Sequence, residues 1–279
     1  MTGRIGPQAK EIKMTGSSSR VSVAIVNIVG FVAVVVVNAL ATTIPLGGMT
    51  TGALSDLYPN LFVPAGLTFS IWGVIYLLLG IFVVYSLIFS ARKAEPSNSF
   101  IEKVGVLFAV TCAANIGWIF SWQYRVLPLS LICMVILLLS LIIIYNRLNI
   151  GRSRAASSEK YLVHLPMSIY LGWISIATIA NVTALLVYYK WNRFGIDEQI
   201  WTVIMIAIGI LLGVVALFYK RDIFYALIVD WAVLGILLKR MASDPSRTQG
   251  VIIASIVGIC ILTLGVIVQI ARRKAYRLV

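Results

Sequence analysis

The stretch from Tyr58 to Gly80, YPNLFVPAGLTFSIWGVIYLLLG, passes from a Pro-containing loop directly into an apolar segment. Within it, Phe69, Trp72, Tyr76 and Gly80 recur at spacings of three and four residues. Residues at these spacings share one face of an α-helix. The stretch therefore predicts a helix that begins beneath a loop and presents an aromatic stripe on one side.

Two later segments, Asn115–Trp122 and Tyr170–Asn181, repeat this arrangement of Trp beside an amide or a phenol. We predict that the three helices surround one binding cavity inside a membrane. Hydrogen bonds between helices are the alternative explanation for the amides, since a polar group in hydrocarbon needs a partner. Asn27 and Asn38 share a face of an earlier segment and are open to the same interpretation. Trp122 is predicted to join an interfacial aromatic belt, because it lies near a helix end. The predicted ligand-binding residues are Trp72, Tyr76, Asn115, Trp118, Tyr170, Trp173, Ala177 and Asn181.

Composition places the chain among polytopic helical membrane proteins. Of its 279 residues, 60% are hydrophobic and 12% are charged, and the mean hydropathy is +0.98. A soluble domain has too little interior to bury so much apolar surface. Continuous apolar runs of about 18 or more residues favour helices over a β-barrel, whose strands alternate in polarity. We predict an all-α bundle of about eight transmembrane helices, at 21–44, 66–91, 101–122, 127–146, 161–189, 198–219, 222–239 and 249–271.

The net charge of +13 is better explained by membrane topology than by nucleic-acid binding. With the N-terminus inside, most of the 23 Lys and Arg residues fall in the terminal tails and the inner loops. This asymmetry is expected of a protein of the cytoplasmic membrane with both termini in the cytoplasm. Basic cytoplasmic tails are predicted at 1–20 and 272–279. The first apolar run is interpreted as a retained helix, with a cleaved signal peptide as the alternative.

The connection from Thr42 to Pro64 is the longest predicted loop. It is rich in Pro and Gly, contains no Lys or Arg, and lies outside under this topology. Its apolar residues argue against disorder, and long connections in compact proteins are usually functional when they are ordered. We predict that it folds back as a lid, with a surface loop on the lipid headgroups as the alternative. The candidate lid residues are Pro59, Leu61, Phe62 and Pro64.

The sequence offers no recognisable catalytic system. It has no Gly-rich nucleotide-binding loop, no Lys at the centre of a span and no acid–base pair for its Ser and Thr residues. The single His164 is predicted to be interfacial rather than a haem or metal ligand. Cys112, Cys133 and Cys260 match no metal or redox spacing and are predicted to pack inside spans. We therefore predict neither catalytic residues nor a metal site.

Asp230 lies at the centre of the seventh predicted span, where an ionisable side chain costs about 2.5–3.5 kcal/mol. Such residues usually face the interior of a bundle. One interpretation is a proton- or cation-coupling residue in a secondary transporter or permease subunit. The alternatives are a hydrogen bond to a neighbouring polar side chain and a helix that does not cross the membrane completely. A scaffold for another membrane complex is a further class of function.

The three aromatic stripes, in this order, resemble the TspO/MBR family of tryptophan-rich sensory proteins, which are related to the mitochondrial translocator protein. The resemblance covers residues 21–189 and leaves 190–271 as three additional transmembrane helices. The residues at the family's first loop and second helix are Pro59, Pro64, Trp72, Tyr76 and Gly80. Those at the third-helix motif are Asn115, Trp118 and Trp122, and those at the fifth are Tyr170, Trp173, Ala177 and Asn181.

The resemblance implies a pocket beneath the first loop that binds a planar apolar ligand, tetrapyrrole or sterol-like, for sensing or translocation. Leu61 stands where the family places a Trp, Val63 where it places the first Pro of a pair, and Ile169 where it opens the fifth-helix motif with Pro. The chain is therefore expected to bind its ligand rather than transform it. A bound tetrapyrrole or lipid is the only cofactor considered. Membrane lipids are the other expected partners, and small residues in the sixth and eighth spans are predicted to let these helices pack closely, either within the chain or across a homodimer.

Overall fold

The computed structural model describes the backbone of residues 7–44, 46–91, 99–243 and 245–275. Within these ranges, side chains are described from residue 20 to residue 272. The basic tails expected at 1–20 and 272–279 lie almost entirely outside the described side chains and stay predictions. The described residues form helices and loops without a β-strand, which confirms the all-α class.

Eleven α-helices occur in this part of the chain. In chain order they are α1 (Pro7–Thr43), α2 (Thr51–Asp56), α3 (Ile71–Ser90), α4 (Phe100–Val104), α5 (Leu107–Gln123), α6 (Leu127–Leu148), α7 (Ser157–Glu159), α8 (Leu165–Tyr188), α9 (Glu198–Val215), α10 (Ile223–Ser243) and α11 (Gln249–Ala275). A 3₁₀ turn at Gly66–Ser70 leads into α3. Single π-helical turns precede α8, at Lys160–His164, and follow α9, at Ala216–Lys220.

Seven of the eight predicted spans each coincide with one long helix, whereas the predicted span 101–122 is divided between α4 and α5. Six helical segments are long and apolar enough to cross a membrane, at 20–43, 66–90, 127–148, 157–188, 198–220 and 249–272. The other two long helices, α5 and α10, are not among these six segments, for different reasons. Gly105, with φ of 51°, separates α5 from α4 and leaves α5 with 17 residues. α10 contains Asp230, Lys239 and Arg240. The polytopic helical membrane class is confirmed.

Local sequence signals explain several of the helix boundaries. Pro128 occupies the first turn of α6, where a missing N–H removes no helical hydrogen bond. Asn149 ends α6 in the left-handed conformation. At the start of α9, the Asp197 carboxylate accepts a hydrogen bond from the N–H of Gln199. These signals fix where the chain reverses between neighbouring helices.

α5 and α8 lie at the centre of the bundle. α5 packs against α1 and α6, α8 packs against α6 and α10, and α11 packs against α9 and α10. Residues 166–176 of α8 are all buried, as expected of a helix surrounded by other helices. The outer helices α6, α9 and α11 expose many Leu, Ile and Val side chains. Those surfaces suit contact with lipid chains.

α9 and α11 approach closely through small residues. A Cβ atom at Gly213 would lie 2.8 Å from Leu262, and one at Gly258 would lie 2.7 Å from Ile210. These are contacts within one chain. The close packing predicted for the sixth and eighth spans is therefore found within the chain, between α9 and α11.

Candidate functional site

The aromatic stripes of α3, α5 and α8 meet around the indole ring of Trp72. Trp72 stacks on Tyr76 and Trp118, with ring centroids 5.4 and 5.7 Å apart. It also makes edge-to-face contacts with Tyr170 and Trp173, with centroids 6.2 and 6.1 Å apart. Aromatic pairs attract each other in these geometries. The three stripes therefore form one cluster.

Amide side chains tie the helices of this cluster together. Nδ2 of Asn38 in α1 donates to Oδ1 of Asn115 over 2.8 Å, and Nδ2 of Asn115 donates to the Tyr170 hydroxyl over 3.2 Å. Nδ2 of Asn181 donates to Oγ of Ser130 over 2.9 Å. Hydrogen bonds between helices are thus present for Asn38, Asn115 and Asn181. Both polar atoms of the Asn115 amide are engaged within the protein.

A small cavity of about 50 Å³ lies between this cluster and the first loop, and we call it the aromatic cavity. Tyr76, Asn115 and Tyr170 do not line it, and they pack in the cluster instead. Its walls come from α3, α5, α8 and α10 and from the loop. The predicted ligand-binding residues that do line it are Trp72, Trp118, Trp173, Ala177 and Asn181.

Three buried polar atoms on the walls of the aromatic cavity lack a hydrogen-bond partner among the described residues. They are Nε1 of Trp118, Nε1 of Trp173 and Oδ1 of Asn181. The two indole N–H groups are donors and the amide oxygen is an acceptor. Leaving such a group unpaired in a protein interior costs about 1–3 kcal/mol. Two hydrogen-bond donors and one acceptor on residues that line the cavity are therefore unsatisfied within the described part of the chain.

The first loop covers the aromatic cavity. Phe62 and Pro64 line the cavity, and both are buried. Pro59 lines a neighbouring groove. Leu61 lines neither space, and its backbone N–H donates to Oε1 of Glu198 over 3.2 Å. The loop therefore lies against the bundle instead of resting on the lipid headgroups.

α10 holds the end of the loop that leads into α3. The N–H of Ala65 donates to the carbonyl of Gly235 over 2.9 Å. The same glycine permits the close approach, because a Cβ atom there would lie 2.0 Å from Oγ1 of Thr68. Asp56 at the end of α2 forms an ion pair with Lys239. These contacts join residues far apart in the sequence and fix the closed position of the loop.

Trp122 belongs to the cavity, and its predicted place in an interfacial belt is wrong. The side chain is only 6% exposed and lines the cavity. Its Nε1 donates to the carbonyl of Thr51 over 3.2 Å, and its ring lies 6.0 Å from that of Tyr58. The loop folds over this end of α5 and shields the indole from the interface. Its position four residues after Trp118, on the same stripe, was the available sequence signal.

A family model described as TSPO-like protein matches residues 24–268. The chain belongs to the TSPO-like protein family. No curated protein and no solved structure matches it. The matched range extends beyond residue 189, where the aromatic motifs stop, and takes in α9, α10 and most of α11. The three C-terminal helices of this TSPO-like chain are thus part of the matched region.

A second space in the TSPO-like chain, of about 360 Å³, lies between α8 and α9, and we call it the lateral groove. Pro59, Asn60 and Phe62 of the loop line it together with apolar residues of both helices. Phe62 borders the lateral groove and the aromatic cavity alike. The two spaces are therefore neighbours that share this side chain.

Asp230 of the TSPO-like chain lies between α10 and α11 and does not line the aromatic cavity. Its Oδ2 accepts a hydrogen bond from Oγ1 of Thr263 over 3.1 Å, whereas Oδ1 is buried without a partner among the described residues. A hydrogen bond to a neighbouring polar side chain, one of the expected alternatives, is therefore present for one of the two oxygens.

The remaining candidates for metal or haem ligation lie elsewhere. Nε2 of His164 is 3.3 Å from Oε1 of Glu159, and His164 does not line the aromatic cavity. In the described part of the chain, His, Cys, Asp and Glu side chains form no group of three or more that would hold a metal ion.

Proposed function

We propose that this TSPO-like membrane protein binds an apolar ligand with hydrogen-bonding groups between Trp72, Trp118 and Trp173, for sensing or translocation. The observation that carries the proposal is the set of unpaired polar atoms on the cavity walls, at Trp118, Trp173 and Asn181. Trp faces offer large, rigid contact area to a flat molecule. The unpaired donors and acceptor would orient its polar groups, as is usual in ligand sites.

A tetrapyrrole or a sterol-like ligand does not fit the closed cavity. About 50 Å³ admits water, whereas pockets for drug-sized ligands measure roughly 300–1,000 Å³. Binding of a ligand of that size therefore requires the loop to move and the stacked rings to separate. Phe62 lies between the cavity and the lateral groove, so its displacement would add the volume of the groove to that of the cavity. The loop acts as a lid in this proposal.

Equilibrium binding of protoporphyrin IX and of a sterol to the purified protein tests the proposal. Trp118→Phe and Trp173→Phe retain a ring but remove the indole N–H, so each is expected to weaken binding about tenfold. Trp231→Phe is the matched control, because its Nε1 already donates to the carbonyl of Thr68 and it does not line the cavity. Equal affinities in all three variants, or no saturable binding to the wild type, would refute the proposal.

A secondary transporter is the second candidate, and the unpaired Oδ1 of Asp230 favours it. Buried carboxylates in membrane spans frequently belong to proton or ion pathways. In proteoliposomes with an imposed pH gradient, uptake of the porphyrin or sterol should depend on the gradient and be lost in Asp230→Asn. Thr263→Val is the control for loss of the hydrogen bond alone. Gradient-driven uptake that persists in Asp230→Asn would exclude this residue from coupling.

A further inference from the structure

A cleft of about 490 Å³ lies at the end of the bundle opposite the lid. Here α6, α9 and α11 end and α8 and α10 begin. The turn after α6, the start of α8, the turn between α9 and α10, and the end of α11 supply its walls. We call it the basic cleft, since Lys160, Arg221 and Arg272 line it against one carboxylate, that of Asp222.

Unusual backbone geometry builds the basic cleft. The two π-helical turns, Lys160–His164 and Ala216–Lys220, lie on either side of it. Such turns are rare and frequently occur at functional sites. Gly151, with φ of 81°, lets the turn after α6 press against the end of the second π turn, because a Cβ atom there would lie 2.0 Å from the carbonyl oxygen of Lys220. Close backbone contact therefore joins two of the segments that line the cleft.

The single carboxylate in the cleft is fully engaged in holding helices together. Oδ2 of Asp222 accepts hydrogen bonds from the Tyr145 hydroxyl, over 2.9 Å, and from Oγ of Ser168, over 2.6 Å. Oδ1 accepts from the backbone N–H groups of Phe224 and Tyr225 at the start of α10. Four donors thus surround a carboxylate whose residue is only 3% exposed. The negative charge of Asp222 is therefore stabilised by those four donors. The cleft is lined by three cationic side chains and this one carboxylate.

A polar group and apolar surface complete the lining. Oγ of Ser153 is buried without a hydrogen-bond partner among the described residues. Leu165, Phe218 and Phe224 supply apolar wall, and Phe218 is 48% exposed on the outside of the bundle. The cleft therefore combines cations and a hydroxyl at the helix ends with an apolar side that opens toward lipid chains.

We propose that the basic cleft binds the phosphate headgroup of an anionic phospholipid. Lys and Arg side chains at a membrane surface attract anionic headgroups, and charged hydrogen bonds to phosphate oxygens add specificity. The Ser153 hydroxyl is placed to donate to the same phosphate, and the acyl chains leave the cleft along Phe218. A soluble phosphate ester would satisfy the cations but would gain nothing from the apolar wall. This site is independent of the ligand proposed for the aromatic cavity.

Native mass spectrometry of the full chain with dioctanoyl phosphatidylglycerol tests this site. The wild type should retain one tightly bound lipid per chain, and dioctanoyl phosphatidylcholine should bind at least about tenfold more weakly. Lys160→Gln combined with Arg272→Gln should weaken phosphatidylglycerol binding about tenfold or more. Arg147→Gln combined with Arg154→Gln removes the same charge near the same end of the bundle, outside the cleft, and should leave binding unchanged.

Equal weakening in the two double variants would overturn the proposal, because only net charge would then matter. Arg272→Lys keeps the charge, so binding should stay within about threefold of the wild type. Competition by glycerol 3-phosphate distinguishes the source of the phosphate. The lipid assignment predicts no displacement at equal concentration, and displacement as effective as that by the lipid would overturn it.

Discussion

The aromatic cavity and the basic cleft lie at opposite ends of the same bundle and are built in opposite ways. The aromatic cavity is about 50 Å³, closed by a loop and walled by stacked rings. The basic cleft is about 490 Å³ and is bordered by four chain segments, three of which supply charged side chains. Stacked side chains on helices can separate when a loop moves, whereas a cleft fixed by backbone contact is already formed. Under the two proposals, the aromatic cavity must open to admit its ligand, whereas the basic cleft need not open.

The two ends also differ in the charge of the polar groups that line them. Around the aromatic cavity, the unpaired groups are neutral indole and amide atoms at membrane depth. At the basic cleft, the buried carboxylate of Asp222 is fully hydrogen-bonded and the cations lie at helix ends. A neutral polar site favours a mostly apolar ligand, and a cationic site at the interface favours an anion. Each end is therefore suited to a different class of molecule.

Gly151→Ala should produce the largest effect and should act on the basic cleft alone. The substitution combines a positive φ of 81° with a contact of 2.0 Å to a backbone oxygen, so unfolding should become easier by about 3 kcal/mol. Thermal unfolding in detergent and retention of phosphatidylglycerol would measure it. Gly195→Ala is the control, since φ is 75° there but nothing lies within 4 Å. Lipid retention as high as in the control would show that the cleft does not need this contact.

Gly235→Ala should disturb the lid end and leave the basic cleft intact. A Cβ atom would collide with the buried Thr68 side chain, which should lower stability by about 2 kcal/mol and loosen the loop. Faster proteolysis within 46–64, with unchanged lipid retention, is the expected result. Gly73→Ala, in α3 with open space around it, should leave the proteolysis rate at the wild-type value. An unchanged rate in Gly235→Ala would mean that α10 does not hold the loop.

Lys239→Gln should have the smallest effect. It removes the ion pair with Asp56, whose carboxylate is exposed, and exposed pairs contribute less than about 1 kcal/mol. Proteolysis of the loop should therefore quicken by less than about fivefold. The Asp56→Asn variant should behave in the same way, and the double variant should add nothing further. A large effect would show that the ion pair, rather than the Gly235 contact, keeps the lid closed.

The helices and their aromatic stripes could be predicted because their signals are local. Apolar runs give the spans, and spacings of three and four residues place Trp72, Trp118 and Trp173 on faces that meet. The buried role of Trp122 could not be predicted from a position near a helix end, because it depends on where a distant loop folds. The same holds for Thr68 and Gly235, which are far apart in the sequence and touch only in the fold.

Local sequence patterns also could not predict the basic cleft. Its cations come from separate segments, and each one alone looks like an ordinary inner-loop charge. One signal was available: Asp222 directly precedes the apolar run of α10, which is typical of a helix N-cap. That signal predicts the start of a helix but not the hydroxyls of Tyr145 and Ser168 that converge on the carboxylate. The size of the aromatic cavity likewise depends on packing, so the sequence could not show that it is closed.

Locking the lid tests most directly the claim that the aromatic cavity binds its ligand only when the loop opens. Cysteines replacing Asp56 and Lys239, with Cys112, Cys133 and Cys260 changed to Ala, can be joined by a bismaleimide that contains a cleavable disulfide. Binding of protoporphyrin IX should fall at least about tenfold on cross-linking and recover when a reductant cleaves the linker. Unchanged affinity in the locked protein would contradict the account, because the ligand would then bind without passing the lid.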